Sequence, residues 1–127
     1  MPATHLADTS AWAQLQRSEV AARLVSLFVG GGAATCGIVD LEVLAGLTAA
    51  DHAEGLAERG FYPRVPIDDA VLERAVEVQG HLAGEDIPVA ALVVAAAAEA
   101  AGLILLHADP VFERIADVTG QPTEPIP

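Results

Sequence analysis

Asp8, Asp40, Glu42 and Asp109 are the residues of this chain whose type and spacing suit metal-assisted chemistry. Asp8 closes a short apolar segment that begins near Thr4. Asp109 follows the apolar run Leu103-Ile104-Leu105-Leu106. Glu42 lies about one turn into a predicted helix, with Asp40 two residues earlier. Carboxylates gathered away from basic groups repel one another unless a cation neutralises them. Hard oxygen donors with water completing the shell are what magnesium and manganese take. Each acid also has an ordinary reading. Asp8, followed by Thr9 and Ser10, can cap a helix. Asp109 can do the same with Pro110 at the first helical position. Asp40 reads as solvated or as a partner of the helix dipole. Glu42, between Leu41 and Val43, is either solvent-facing or a ligand.

Other chemistries find less support. Cys36 is the single cysteine, which rules out an internal disulfide and a four-thiolate zinc site. No sequence neighbour marks it as a nucleophile, and no Gly-x-Ser-x-Gly elbow is present. His5, His52 and His81 show no ligand spacing, and His107 reads as structural. Gly30-Gly31-Gly32 lacks the Lys-Ser/Thr of a phosphate loop and reads as a turn. Arg74 and Arg114 are expected in exposed ion pairs.

The 127 residues suffice for one domain, taken as 1–127. Hydrophobic residues make up 53% and charged residues 19%, the balance of a packed globular chain. Six basic residues, all arginine, stand against 18 acidic ones, for a net charge of -12. Such a balance argues against a broad basic face for duplex DNA and against an anionic membrane surface. It leaves room for a nuclease whose carboxylates carry cations, because the ions reverse the local field. The absence of any lysine also counts against a phospho-acceptor receiver domain, which relies on one beside its aspartate. The leading Met-Pro-Ala-Thr-His shows no signal-peptide pattern, so a reducing cytoplasm is the expected compartment.

Hydrophobic spacing predicts helix over 10–29, broken near Ser18, then a strand at Ala33–Cys36. Helices follow at 38–47 and 51–59, and residues 61–67, with two prolines, read as an edge strand or link. A helix over 70–82, capped by Asp68 or Asp69, is expected to bury Leu72, Ala75, Val76 and Gln79. The apolar stretch 87–106 approaches the length of a membrane span. Pro88 at its start and Gly102 within it divide it into a helix at 88–101 and a strand at 103–106. A helix at 110–118 and an extended edge at 122–127 complete the pattern. Alternating strands and helices with apolar strands give a mainly parallel sheet covered on both faces.

Three segments resemble the PIN-domain ribonucleases, in particular the VapC-type toxins of toxin–antitoxin pairs. Leu6-Ala7-Asp8-Thr9-Ser10-Ala11-Trp12 is similar to the first motif of that family. Cys36-Gly37-Ile38-Val39-Asp40-Leu41-Glu42-Val43-Leu44 resembles the second, with Glu42 as its acid. Leu105-Leu106-His107-Ala108-Asp109-Pro110-Val111-Phe112 resembles the last, and the tail Val118-Thr119-Gly120-Gln121-Pro122 is similar to a common ending. The family's third acidic motif reads Pro-x-x-Asp before an alanine-rich helix. Pro88-Val89-Ala90-Ala91-Leu92 matches it except that Ala91 stands where the aspartate belongs. Natural loss or deliberate replacement in a toxic nuclease would each account for this, and the intact surrounding motif favours replacement. Val111 also stands where relatives often carry another acid.

The resemblance implies a three-layer α/β/α PIN-like fold. It implies a catalytic set of Asp8, Glu42, Asp109 and position 91, in which the three acids hold Mg2+ or Mn2+. That ion would lower the pKa of a water attacking an RNA phosphodiester, with Thr9, Ser10 and Asp40 as supporting residues. With Ala91, weak metal binding and little cleavage are expected, and the alternative is a non-catalytic module that only binds a partner. The resemblance further implies a homodimer and neutralisation by a cognate VapB antitoxin. Operator DNA would be contacted by the antitoxin and not by this chain.

Overall fold

The computed structural model describes residues 2–127. Strand β1 (His5–Ala7) enters helix α1 (Thr9–Trp12), a 3-10 turn (Ala13–Gln16) and helix α2 (Ser18–Val29). The predicted break falls at Arg17, whose extended backbone interrupts the helix. Strand β2 (Ala33–Cys36) leads to α3 (Gly37–Leu44) and α4 (Ala49–Arg59), the latter capped by Thr48. Helix α3 stops three residues before the predicted 47 because Ala45 is extended and Gly46 takes a φ of 79°.

The proline-bounded edge strand β3 is short (Arg64–Val65), and Asp68 caps α5 (Asp69–His81) by accepting from the Val71 N–H at 3.0 Å. The apolar stretch divides as its sequence predicts. Helix α6 (Val89–Ala101) ends on Gly102 at φ 68°, and β4 (Ile104–His107) follows. This left-handed turn, which a residue bearing a Cβ adopts at a cost, converts helix into strand. No helix among the described residues is long and apolar enough to cross a membrane. Helix α7 (Val111–Thr119) and strand β5 (Thr123–Pro125) end the fold.

All the strands pair in parallel, in the order β3-β2-β1-β4-β5. From β1 the chain winds outward to β3, then returns past β1 to place β4 and β5 on the other side. The point of reversal therefore lies between β1 and β4. Side chains alternate across the sheet as a strand requires. Leu6, Ala34, Cys36 and Leu105 join Val71, Val78, Val94, Phe112 and Ile115 beneath α5, α6 and α7. Ala7, Ala33 and Leu106 join Ala11, Leu24 and Phe28 beneath α1 and α2. The result is the expected α/β/α layering. Helix α6, buried continuously from Ala91 to Ala98, owes its place to small side chains that let sheet and neighbouring helices close on it.

The expected inward face of α5 is corrected. Val71, Ala75 and Val78 are buried, whereas Leu72 and Val76 are 43% and 66% exposed. The helix is apolar over a wide arc, and packing against α6 selects the half carrying Val71 and Val78.

Glu124 fastens β5 to the rest of the fold. It accepts from Arg23 at 2.9 and 3.0 Å and lies 2.9 Å from His5 Nε2. Burial alone would raise its pKa, but the hydrogen bonds from His5 and Arg23 prevail and hold it below its ordinary 4.5. A depressed folded pKa means stability that is present above 4.5 and is lost as pH falls through the folded value. Glu124→Gln should therefore unfold more easily than the parent at neutral pH, by about 1 kcal/mol given the partial exposure of these groups. Thermal unfolding from pH 7 to 3 should show the difference fading below about pH 4.5; a constant difference would contradict it.

Candidate active site

Open parallel sheets bind ligands beyond the carboxyl ends of their strands, at the point where strand order reverses. Here that point is flanked by Asp8, the residue after β1, and by Asp109, two residues after β4. The neighbouring strands are locked in register by Ala7 opposite Leu106, and the Asp8 N–H continues the ladder to the Leu106 carbonyl at 3.0 Å.

Short hydrogen bonds fix the first acid. Asp8 Oδ2 accepts from the Ser10 N–H at 2.9 Å and from the Ser10 hydroxyl at 2.6 Å. The same hydroxyl oxygen accepts from the Ala108 N–H at 3.0 Å. Ser10 thus ties the end of β1 to the loop carrying Asp109. Asp109 Oδ1 accepts from the Val111 N–H at 3.0 Å at the start of α7, and its own N–H donates to His107 Nδ1 at 3.2 Å. With Nδ1 accepting, His107 Nε2 donates to Glu113 at 2.6 Å. His107 is thus a buried structural histidine. It and Thr123 hold the Glu113 carboxyl below its usual range. Glu42, exposed on α3, meets the group through Thr9, whose hydroxyl donates to Oε1 at 3.0 Å.

Asp8 is the N-cap of α1 as expected, whereas α7 has Pro110 at its N-cap and Asp109 accepts from the Val111 N–H just before it. Each aspartate engages one oxygen only in this way. Asp8 Oδ1, Glu42 Oε2 and Asp109 Oδ2 have no hydrogen-bond partner among the described residues. Nor does any arginine or histidine there pair with these three acids, since the arginines are engaged elsewhere. The donors are therefore hard, anionic and free, which suits a divalent cation. Their number falls short of a closed cage, because among the described residues no three His, Cys, Asp or Glu converge closely enough for one. Position 91 lies in the first turn of α6, a helix packed on α3 and β4, and carries the 6% exposed methyl of Ala91.

Asp40 lies in the first turn of α3, as its reading as a partner of the helix dipole requires, but it is not solvated. It is buried, and Oδ1 accepts from the Thr35 hydroxyl and from Arg59 Nε, both at 2.9 Å. Arg64 donates to its other oxygen. Burial favours the neutral carboxyl, but the hydrogen bonds from Arg64, Arg59 and Thr35 prevail and hold its pKa below the ordinary value. Arg59 in turn donates to Thr35 at 2.7 Å and stacks 4.2 Å over the Trp12 ring. Sequence reasoning singled out neither Arg59 nor Arg64, and nothing local marks them. Cys36 is buried, which pushes its thiol pKa up and leaves it unreactive.

Residues 6–118 match the family model described as PIN domain. The chain belongs to the PIN-domain family. Within it the chain is of the VapC kind. It is 39% identical over 124 residues to Ribonuclease VapC18 of Mycobacterium tuberculosis, covering 92% of this chain and 90% of that one. It is 35% identical over 130 residues to Ribonuclease VapC21 of the same species, covering 98% and 94%. The PIN fold is seen as well in the DNA-bound VapBC complex from Salmonella typhimurium, at a TM-score of 0.76 and 17% identity over 97% of this chain and 98% of that one.

Ser10→Ala tests the geometry of this PIN site. It removes the hydroxyl that joins Asp8 to Ala108 and should cost about 1–2 kcal/mol of unfolding free energy in urea. A loss under about 0.5 kcal/mol would mean that solvent replaces the bridge.

Proposed function

We propose that this chain is a VapC-type endoribonuclease toxin whose catalytic set is Asp8, Glu42, Asp109 and position 91, disabled because position 91 is alanine. The observation that carries the reading is the pair Asp8 and Asp109 flanking the reversal point of the sheet and tied through Ser10, each with a free oxygen and no basic partner, with Glu42 reached through Thr9. Asp8, Glu42 and Asp109 would hold Mg2+ or Mn2+, which polarises a phosphodiester and lowers the pKa of a water when bound. Ser10 and Thr9 orient the carboxylates of Asp8 and Glu42, each through one hydroxyl. The acid absent at 91 would have added a further anionic donor from α6.

The substrate is RNA, and the compartment is the cytoplasm. A cognate VapB antitoxin is the proposed partner, with any DNA contact made by that partner and not by this chain. An apolar cleft of about 770 Å³ beside α3 and α4, lined by Leu41, Leu47 and Leu56, supports docking of an apolar antitoxin segment. The exposed Leu72, Val76 and Val89 on α5 and α6 support a homodimer.

A second reading is a PIN module that binds a partner and does not cut. Ala91 and the lack of a closed carboxylate cage among the described residues favour it. RNA cleavage by the parent and by Ala91→Asp, with magnesium, manganese or chelator, separates the two. Cation-dependent cutting by Ala91→Asp alone supports the disabled nuclease, and no cutting by either supports the module.

A further inference from the structure

RNA is a polyanion, and a chain of net charge -12 repels it unless some cation receives its phosphates. The pairing of the arginines shows where such a cation lies. Arg17 pairs with Glu19, Arg23 with Glu124, and Arg114 with Glu85. Arg74 faces both Glu77 and Glu99. These groups are neutral or acidic. Arg59 and Arg64 instead share Asp40, so this trio alone among the arginine groups of the described residues carries an excess positive charge. Arg59 is 3% exposed and spends its donors on Asp40 and Thr35. The side chain of Arg64 is 46% exposed and among the described residues donates only to Asp40, which leaves most of its five N–H groups free there.

Its place is as telling as its charge. Arg64 lies on β3 in register with Thr35, and its head reaches Asp40 in the first turn of α3. It therefore stands at the carboxyl edge of the sheet, the edge that carries Asp8 and Asp109. Glu42 lies two residues beyond Asp40, about 200° around the same helix. The cation thus shares the carboxyl edge of the sheet with the acids and pairs with none of the three.

We propose that Arg64, held by Asp40, is a substrate-binding residue that receives a backbone phosphate flanking the cleavage point of single-stranded RNA. This rests on the ribonuclease reading and adds to it the residue that offsets the acidic surface. The planar guanidinium suits a phosphate, and its contact with Asp40 fixes its direction while leaving donors outward.

The test is binding of a fluorescein-labelled single-stranded RNA, followed by anisotropy in chelator across a range of NaCl. The proteins are the parent chain and its Arg64→Gln, Arg64→Lys and Arg74→Gln variants. Arg64→Gln should weaken binding about tenfold and reduce the slope of log affinity against log salt by about 0.7, the contribution of one single-strand phosphate contact. Arg64→Lys should keep the slope, a readout that a merely structural role would not move. Arg74→Gln should match the parent, because Arg74 pairs with Glu99 near the end of α6, which leads into the opposite edge of the sheet. Melting temperatures should change little for Arg64→Gln, since Asp40 keeps Arg59 and Thr35. Binding by the parent with no change of affinity or slope in Arg64→Gln overturns this inference and leaves the ribonuclease reading standing. No binding by the parent overturns this inference and leaves the ribonuclease reading to the Ala91→Asp cleavage test.

Discussion

Replacing Ala91 with aspartate should start magnesium- or manganese-dependent RNA cleavage and, in the same protein, make folding stability depend on the cation. Ala91 is 6% exposed in the first turn of α6. A carboxylate there loses much of its hydration. The N-terminal end of the helix returns only part of that cost. Without cation, Ala91→Asp should be less stable than the parent by about 1–3 kcal/mol. A cation bound only by the folded state returns about 2.7 kcal/mol at a hundred times its dissociation constant. The melting temperature of the variant should therefore rise steeply with magnesium or manganese, and that of the parent much less.

Cleavage should rise at least about a hundredfold over the parent, since even residues that only orient metal ligands are worth 10–100-fold. The two readouts are separable. Cation-dependent stability without cleavage would keep the metal site and remove the tested RNA as substrate. Neither effect would remove position 91 from the site.

Legibility in the sequence followed the distance over which a feature is determined. Asp8 and Asp109 were legible because strand end, acid and capping signal fall within a few residues of one another. Glu42 could be placed from its offset along a helix, although its contact with Thr9 spans 33 positions. The strands were legible as parallel from the alternation of apolar segments, but their order was not, because β1 beside β4 is decided by packing. The inward half of α5 is misassigned from the sequence because Leu72 and Val76 repeat with the same period as Val71, Ala75 and Val78. For Asp40 the first-turn position is legible and the burial is not. Its partners Arg59 and Arg64 come from 19 and 24 residues downstream, across a helix and an edge strand. A short-range pattern shows an acid in the first turn of a helix and nothing of what folds over it.

That same buried group carries the largest expected effect on stability. Asp40→Ala should destabilise the protein by about 3–5 kcal/mol, the usual result of leaving a buried charge without its counterion. The orphan is Arg59, whose side chain is 4% exposed and is held between Asp40, Thr35 and the Trp12 ring. Arg64 can turn to solvent, whereas Arg59 cannot without opening the aromatic cluster of Trp12, Phe28 and Tyr62. A typical domain has about 5–15 kcal/mol in all, so this loss brings the fold near its limit. Urea unfolding of Asp40→Ala beside the double variant Asp40→Leu with Arg59→Met distinguishes the cause. If the cost is the orphaned charge, the double variant should recover a large part of it, because an apolar pair leaves nothing uncompensated. If the double variant is as weak as the single, the hydrogen bonds to Thr35 and the packing of α3 matter more than the charge. Helix α3 carries Glu42 two residues beyond Asp40, so the anchor that keeps Arg59 buried also sets where the Glu42 carboxylate meets Thr9.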